Sequence, residues 1–293
     1  MLHIQYFREN LFVMRKTTIL FSTCFLALVY TAGAQLKTPA PSPTQTVKQD
    51  FGLSSVELSY SRPGVKGRKV FGDLVPFGKV WRTGANGATT LTFGDDVTIG
   101  GQKIPAGKYG LLSIPDKAGW TLIITKQLDV TNPAAYKQES DVVRIPVKPV
   151  SIKNKVENFT IQFANIKPNS VELQLLWDQT EVDLPISTEI DAKVMAQINE
   201  LMSGDEKKAP YYGAAVYYME NGKDLNKSLE WFNKAAEENP KAYYVYYQRA
   251  NCLAKLGKKQ EAAAAATKSM ELAKEANNND YVALNQKLLT TLK

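Results

Sequence analysis

Apolar and polar residues alternate through the first two thirds of the chain. Val56-Leu58-Tyr60, Leu91-Phe93, Val97-Ile99, Trp120-Leu122-Ile124, Phe159-Ile161-Phe163, Val171-Leu173-Leu175-Trp177 and Val182-Leu184-Ile186 place apolar side chains at every second position. Successive side chains of a strand point to opposite faces, so each run predicts a strand with one apolar and one wet face. Turn residues separate the runs. Gly100-Gly101 suits a two-residue hairpin, and Pro105-Ala106-Gly107, Asn86-Gly87 and Pro168-Asn169 are further breaks. About nine short strands over residues 47–187 predict an antiparallel β-sandwich or barrel-like domain. After Ser187 the period lengthens from 2 to that of a helix, and β-branched residues thin out. Residues 188–293 therefore read as an all-α module, beginning with an amphipathic helix over Ile190 to Met202, and the chain is α+β and multidomain. Pro39, Pro41 and Pro43 make residues 35–46 a flexible linker.

The helical part repeats. Ser228, Phe232 and Ala235 are followed at a fixed offset by Ala262, Ala266 and Ser269, and Pro240 closes the first unit. This pattern resembles the tetratricopeptide repeat, with Gly222 and Gly257 in the inter-helix turns and a last helix from Asp280 to Leu292 as the cap. Tyr211, Ala214, Ala215 and Tyr218 form the core face of one helix by i, i+3, i+4, i+7 spacing. Tyr212, Val216 and Met219 form a second stripe, and Tyr244, Tyr247, Asn251 and Lys255 occupy matching positions on the next first helix. If the resemblance holds, this stripe lines a groove for a protein or peptide partner; otherwise it is internal packing. Tyrosine is a frequent interface anchor.

Charge and cysteine content narrow the chemistry. Arg15 and Lys16 precede an apolar run over Ile19 to Tyr30 and then Thr31-Ala32-Gly33-Ala34. That order predicts a secretory signal over residues 1–34, cleaved after Ala34, and a protein exported to the periplasm or beyond. The start is either Met1 or Met14; Met14 is the better one, because it gives a signal of ordinary length and makes residues 1–13 an upstream extension. A lipoprotein anchor at Cys24 fits poorly, because Cys24 sits inside the apolar run. Cleavage removes His3 and Cys24 and leaves Cys252 alone, so the mature chain has no intramolecular disulfide, no serine–histidine or cysteine–histidine pair and no histidine–cysteine zinc site. Removing Arg8, Arg15, Lys16 and Glu9 leaves 33 of 36 basic and 28 of 29 acidic side chains, net +5. That balance gives no case for nucleic acid, and nothing in the mature chain is long and apolar enough to span a membrane. No cofactor or metal is expected: Asp95-Asp96 reads as turn chemistry, and Asp178, Glu181 and Asp183 bracket a hairpin without the spacing of a calcium loop. Cys252, mid-helix, reads as a small buried hydrophobe.

One segment stands apart. Residues 60–93 carry Arg62, Lys66, Arg68, Lys69, Lys79 and Arg82 against a single acid, Asp73, with glycines at 64, 67, 72, 78, 84 and 87. Glycine admits positive φ and close approach, and the cations must be solvated, paired or holding an anion. Arg62, Arg68, Lys69, Trp81, Arg82 and Asn86 are the candidate ligand residues, for an anionic or carbohydrate ligand of the envelope. The competing reading pairs these arginines with Asp95, Asp96 or Asp141 and buries Trp81. The run SRPGVKGRKVFGDLVPFGKVWRTGANGATTLTF, with VTIGGQKIPAGKYGLLSIP and WTLIITK, resembles an exported bacterial family known as domain of unknown function twenty-nine eleven, over about residues 40–187. The resemblance implies a β-rich domain and export, and no catalytic residue. Two functions stay open: a non-enzymatic exported protein with a helical interaction surface, or a small-ligand binder or enzyme with its pocket in residues 60–93.

Overall fold

The computed structural model describes residues 36, 38–205 and 209–292. The signal expected over residues 1–34 lies outside them. Ten strands come first: β1 (Thr44–Phe51), β2 (Ser54–Ser61), β3 (Thr89–Phe93), β4 (Val97–Ile99), β5 (Gln102–Ile104), β6 (Gly107–Ile114), β7 (Trp120–Thr125), β8 (Asp141–Val147), β9 (Val150–Lys167) and β10 (Ser170–Ser187). Six helices follow: α1 (Asp191–Met202), α2 (Tyr211–Glu220), α3 (Leu225–Glu238), α4 (Tyr243–Lys255), α5 (Lys259–Glu275) and α6 (Asn279–Thr291).

The strands form two antiparallel sheets, ordered β1-β2-β3-β6-β7-β8 and β5-β4-β10-β9. Their apolar faces meet in one cluster, with Val56, Leu58, Leu91, Leu122 and Ile124 from the first sheet and Ile99, Ile161, Leu173, Leu175 and Leu184 from the second. The domain is an open two-sheet sandwich, not a closed barrel. Tyr60 fastens the sheets together: its hydroxyl donates to Ile161 O at 3.0 Å and accepts from Ile161 N–H at 2.9 Å. Gly100 and Gly101 take φ of 57° and 79° in the turn that pairs Ile99 with Gln102, the mirror-image turn that strand twist favours.

The expectation of short strands fails in the second sheet, because β9 and β10 run 18 residues each. The runs 171–177 and 182–186 are one strand. Its pairing slips on both sides of Asp178, whose φ is 53°, and the inward set changes from odd to even positions across that bulge. Asp178, Glu181 and Asp183 thus lie along one bent strand and do not bracket a hairpin. β1 starts at Thr44, inside the segment expected to be a linker.

The helices pack as successive hairpins after α1, α2 with α3 and α4 with α5, and α6 covers α5. Gly222 and Gly257 take φ of 65° and 76° in the two inter-helix turns. Tyr211, Ala214 and Ala215 are buried as the core face of α2. α1 touches both parts: Lys193 Nζ lies 2.6 Å from Asp95, while Asp191 takes Lys223 Nζ and the Tyr217 hydroxyl, each at 2.8 Å. No helix of the described residues is long and apolar enough to cross a membrane.

Candidate functional site

The connection from β2 to β3 builds the site. It lacks a repeating period, yet every fifth or sixth residue is an apolar plug. Val65, Val70, Val75 and Trp81 are all buried in the sandwich core. Backbone bonds sew the segment to both sheets: Val65 N–H to Glu157 O (2.8 Å), Phe159 N–H to Pro63 O (2.8 Å), Trp81 N–H to Ser113 O (2.7 Å) and Ser113 N–H to Trp81 O (2.9 Å). Between the plugs the chain doubles back through positive φ at Lys66 (48°), Gly67 (70°), Gly72 (86°) and Gly78 (68°). Gly84 is needed for space as well, since a Cβ there would sit 3.0 Å from Ser61 O.

This folding leaves a cavity of about 400 Å³. Its base is Trp81 and Trp177, whose rings stack with centroids 5.7 Å apart and planes 17° from parallel. Leu74, Val75, Pro76 and Val80 supply an apolar wall. Lys66, Arg68, Lys79 and Arg82 also line it, and no acid does. Among the described residues none of these four cations forms an ion pair. The competing reading fails on its acids, because Asp95 holds Lys193, Asp96 holds Lys103 and Asp141 holds Arg144, and holds for Trp81, which is buried in the core.

Of the six residues expected to bind ligand, Arg68, Trp81 and Arg82 come together in this lining. Arg62, Lys69 and Asn86 do not. Arg62 is a structural clamp, donating from Nε to Phe159 O at 3.1 Å and from Nη2 to Thr160 Oγ1 at 2.8 Å. Asn86 donates to Ser42 O at 3.0 Å and so positions the lead-in segment, whose Pro41 and Ser42 complete one side. Lys69 is exposed and outside the lining. Arg68 braces its own loop through Gly64 O (2.6 Å) and Val65 O (3.1 Å). Arg82, half-buried, donates to Asn86 O and Thr131 O.

Thr131 belongs to the segment after β7, which also brings Pro133 to the lining. That segment is anchored by the Tyr136 hydroxyl, which donates to Asp141 Oδ2 at 2.5 Å and accepts from Arg144 at 2.6 Å. Burial, and then the Asp141 carboxylate, push the Tyr136 hydroxyl up to about 12. Sequence reasoning missed Lys79 and Lys66 as lining residues, together with Pro133 and Trp177. The two lysines were visible in the cation run; Pro133 and Trp177 are distant in sequence and had no signal.

The second predicted surface lies on the first helices of the repeats. Tyr212 and Tyr244 meet edge to face at 5.1 Å, Tyr243 meets Tyr281 at 4.8 Å, and Tyr247 meets Tyr281 at 5.5 Å. Tyr212, Val216, Tyr244 and Tyr247 are half-buried. Burial raises the Tyr212 and Tyr281 hydroxyls above the ordinary phenol range. Met219 departs from expectation: it is buried in the helical core. Asn251 Nδ2 is spent on Tyr247 O within its own helix at 3.0 Å, and Lys255 Nζ reaches Met219 O at 3.5 Å. Cys252 is buried, and that burial pushes its thiol up, as a packing residue requires.

Fold and site define a class: a two-sheet domain with a cationic cavity under its longest loop, followed by tetratricopeptide-like helical hairpins. Residues 42–186 match the family model described as Protein of unknown function (DUF2911), and this domain is a member of that family. No curated protein matches the chain.

Proposed function

We propose that the chain is an exported, non-enzymatic binding protein whose β domain holds a small anionic ligand with a flat or apolar body, and whose tyrosine face engages a protein or peptide. The lining of the cavity carries the first part: four cations, no acid, and an apolar wall over a tryptophan pair. Charged hydrogen bonds from arginine and lysine hold a carboxylate or phosphate, while apolar wall area holds the rest of the molecule. The lining offers a single hydroxyl, Ser42, and no histidine, carboxylate or thiol, which supports binding rather than acid–base chemistry. Export rests on the basic–apolar–small order of residues 15–34. The contiguous, half-exposed tyrosines support the partner surface.

The test is calorimetry with benzoate, indole-3-acetate and inorganic phosphate on the wild type and on Lys79→Ala/Arg82→Ala. An aromatic carboxylate is expected to bind most tightly, and the double variant to weaken it about tenfold or more, each lost charge-assisted bond being worth about 1.5–3 kcal/mol. Absence of heat with all three probes, or equal affinity in the variant, overturns the proposal.

A further inference from the structure

A second cavity, of about 360 Å³, lies on the other side of Phe71. Phe71 lines this cavity and packs against the tryptophans of the first. Its ring meets Trp81 and Trp177 of the first cavity at 6.3 and 6.1 Å, and Trp120 of the second at 4.9 Å. The two cavities differ in chemistry. The first is cationic throughout; the second balances one carboxylate, Asp116, with one ammonium, Lys117. An ion of either sign would therefore face one like charge. The remaining polar groups are the Gln179 amide and the Ser151 and Thr180 hydroxyls, all of which both donate and accept. A purely apolar ligand would leave these groups stripped of water and unpaired, which is costly.

Phe77 is held as a platform. Gly72 takes φ of 86°, and a Cβ there would lie 2.5 Å from the Phe77 ring, so only glycine lets the ring rest on the backbone. Lys117 Nζ lies over the ring, 5.9 Å from its centroid, at the end of an exposed side chain that a ligand on the ring would move aside to its rim. Gln179 and Thr180 come from β10 at its bulge, Ser151 from the start of β9, and Asp116 and Lys117 from the connection between β6 and β7. Gln179 is exposed, with only a 3.4 Å bond to Lys153 O.

We propose that this second cavity binds a neutral saccharide, one pyranose ring lying on Phe77 with its hydroxyls on Gln179, Asp116 and Lys117. A pyranose combines an apolar C–H face with rim hydroxyls that both donate and accept, which is the pattern of this lining. The assignment is independent of the anion cavity.

Saturation-transfer NMR on the full chain, with cellobiose, maltose and N,N′-diacetylchitobiose as probes, tests it. At least one sugar is expected to receive saturation on the C–H protons of one ring. Gln179→Ala, at an exposed position, is expected to keep the thermal melting curve and to weaken that sugar about tenfold. Phe77→Ala is expected to abolish the transfer, and Arg82→Ala to leave it unchanged. No transfer to any of the three sugars, or transfer undiminished in both Gln179→Ala and Phe77→Ala, overturns the proposal.

Discussion

Arg62 and Arg82 show how residues of one type in one segment divide their work. Arg62 spends its guanidinium on Phe159 O and Thr160 Oγ1, binding the end of β2 to β9. Arg82 stands in the lining of a cavity without acids. Another residue works against the fold. Asp183 has one buried oxygen, Oδ1, without a hydrogen-bond partner among the described residues. Burial, aided by the charge of Glu172, raises its carboxyl above the ordinary value, and Glu181 is raised by burial and by Asp183 itself. A folded-state value above the unfolded one means that the ionised form costs stability. The cost is full above the raised value and is relieved as pH falls through it towards the unfolded value. Asp183→Asn should therefore stabilise the protein by about 1 kcal/mol near neutral pH. The gain should vanish as pH drops towards about 4. Urea denaturation at both pH values checks this; a less stable variant at neutral pH would mean that the charge is needed.

At the scale of elements, the β2–β3 connection acts as a third layer closing one end of the sandwich. Trp81 is its main plug, 9% exposed, stacked on Trp177 and 5.0 Å from Phe159. Its Nε1 donates to Gly84 O at 3.0 Å, fixing the turn that precedes β3. Trp81→Ala should cost about 3–5 kcal/mol, read as a shift in denaturation midpoint. A loss below about 1 kcal/mol would place the indole outside the core. Alternation exposed β2, β3 and much of β10 in the sequence, because each buries mainly one face; it showed β7 by Trp120, Leu122 and Ile124 alone and gave no sign that Ile123 and Thr125 bury its other face. β1 was hidden by Lys48, Gln49 and Asp50: it is an edge strand, and only Phe51 is buried. β8 is the opposite edge, where Pro146 is tolerated because no further strand needs its N–H. The polar start of β9 hid the length of the β9–β10 hairpin, which leaves that end largely to solvent. The cavity was half legible. Glycine and cation density marked the segment, but an aperiodic loop carries no signal for which cations turn inward, so Arg62, Lys69 and Asn86 were grouped with Arg68 and Arg82.

At the scale of the molecule, the apolar clusters of the described residues keep to one part or the other, two in the β domain and two among the helices. The polar links between the two parts include Lys193 with Asp95 and the Thr188 hydroxyl donating to Asp96 O at 2.8 Å. Surface ion pairs contribute roughly 0–1 kcal/mol, so each part should fold without the other. Residues 35–187 should give a β-type circular dichroism spectrum and residues 188–293 a helical one, each with a cooperative melt. Failure of both fragments to fold would make the joint part of a single core.

A matched pair of probes isolates the charge of the first cavity. Benzoate and benzamide have nearly the same shape and differ in the carboxylate. Titrated against the fluorescence of the buried Trp81–Trp177 pair, benzoate should quench and saturate while benzamide does not. The benzoate affinity should fall as salt is raised, since exposed cations are screened beyond a Debye length of about 8 Å at physiological ionic strength. Equal binding of the two, or binding of benzamide alone, would contradict an anion site.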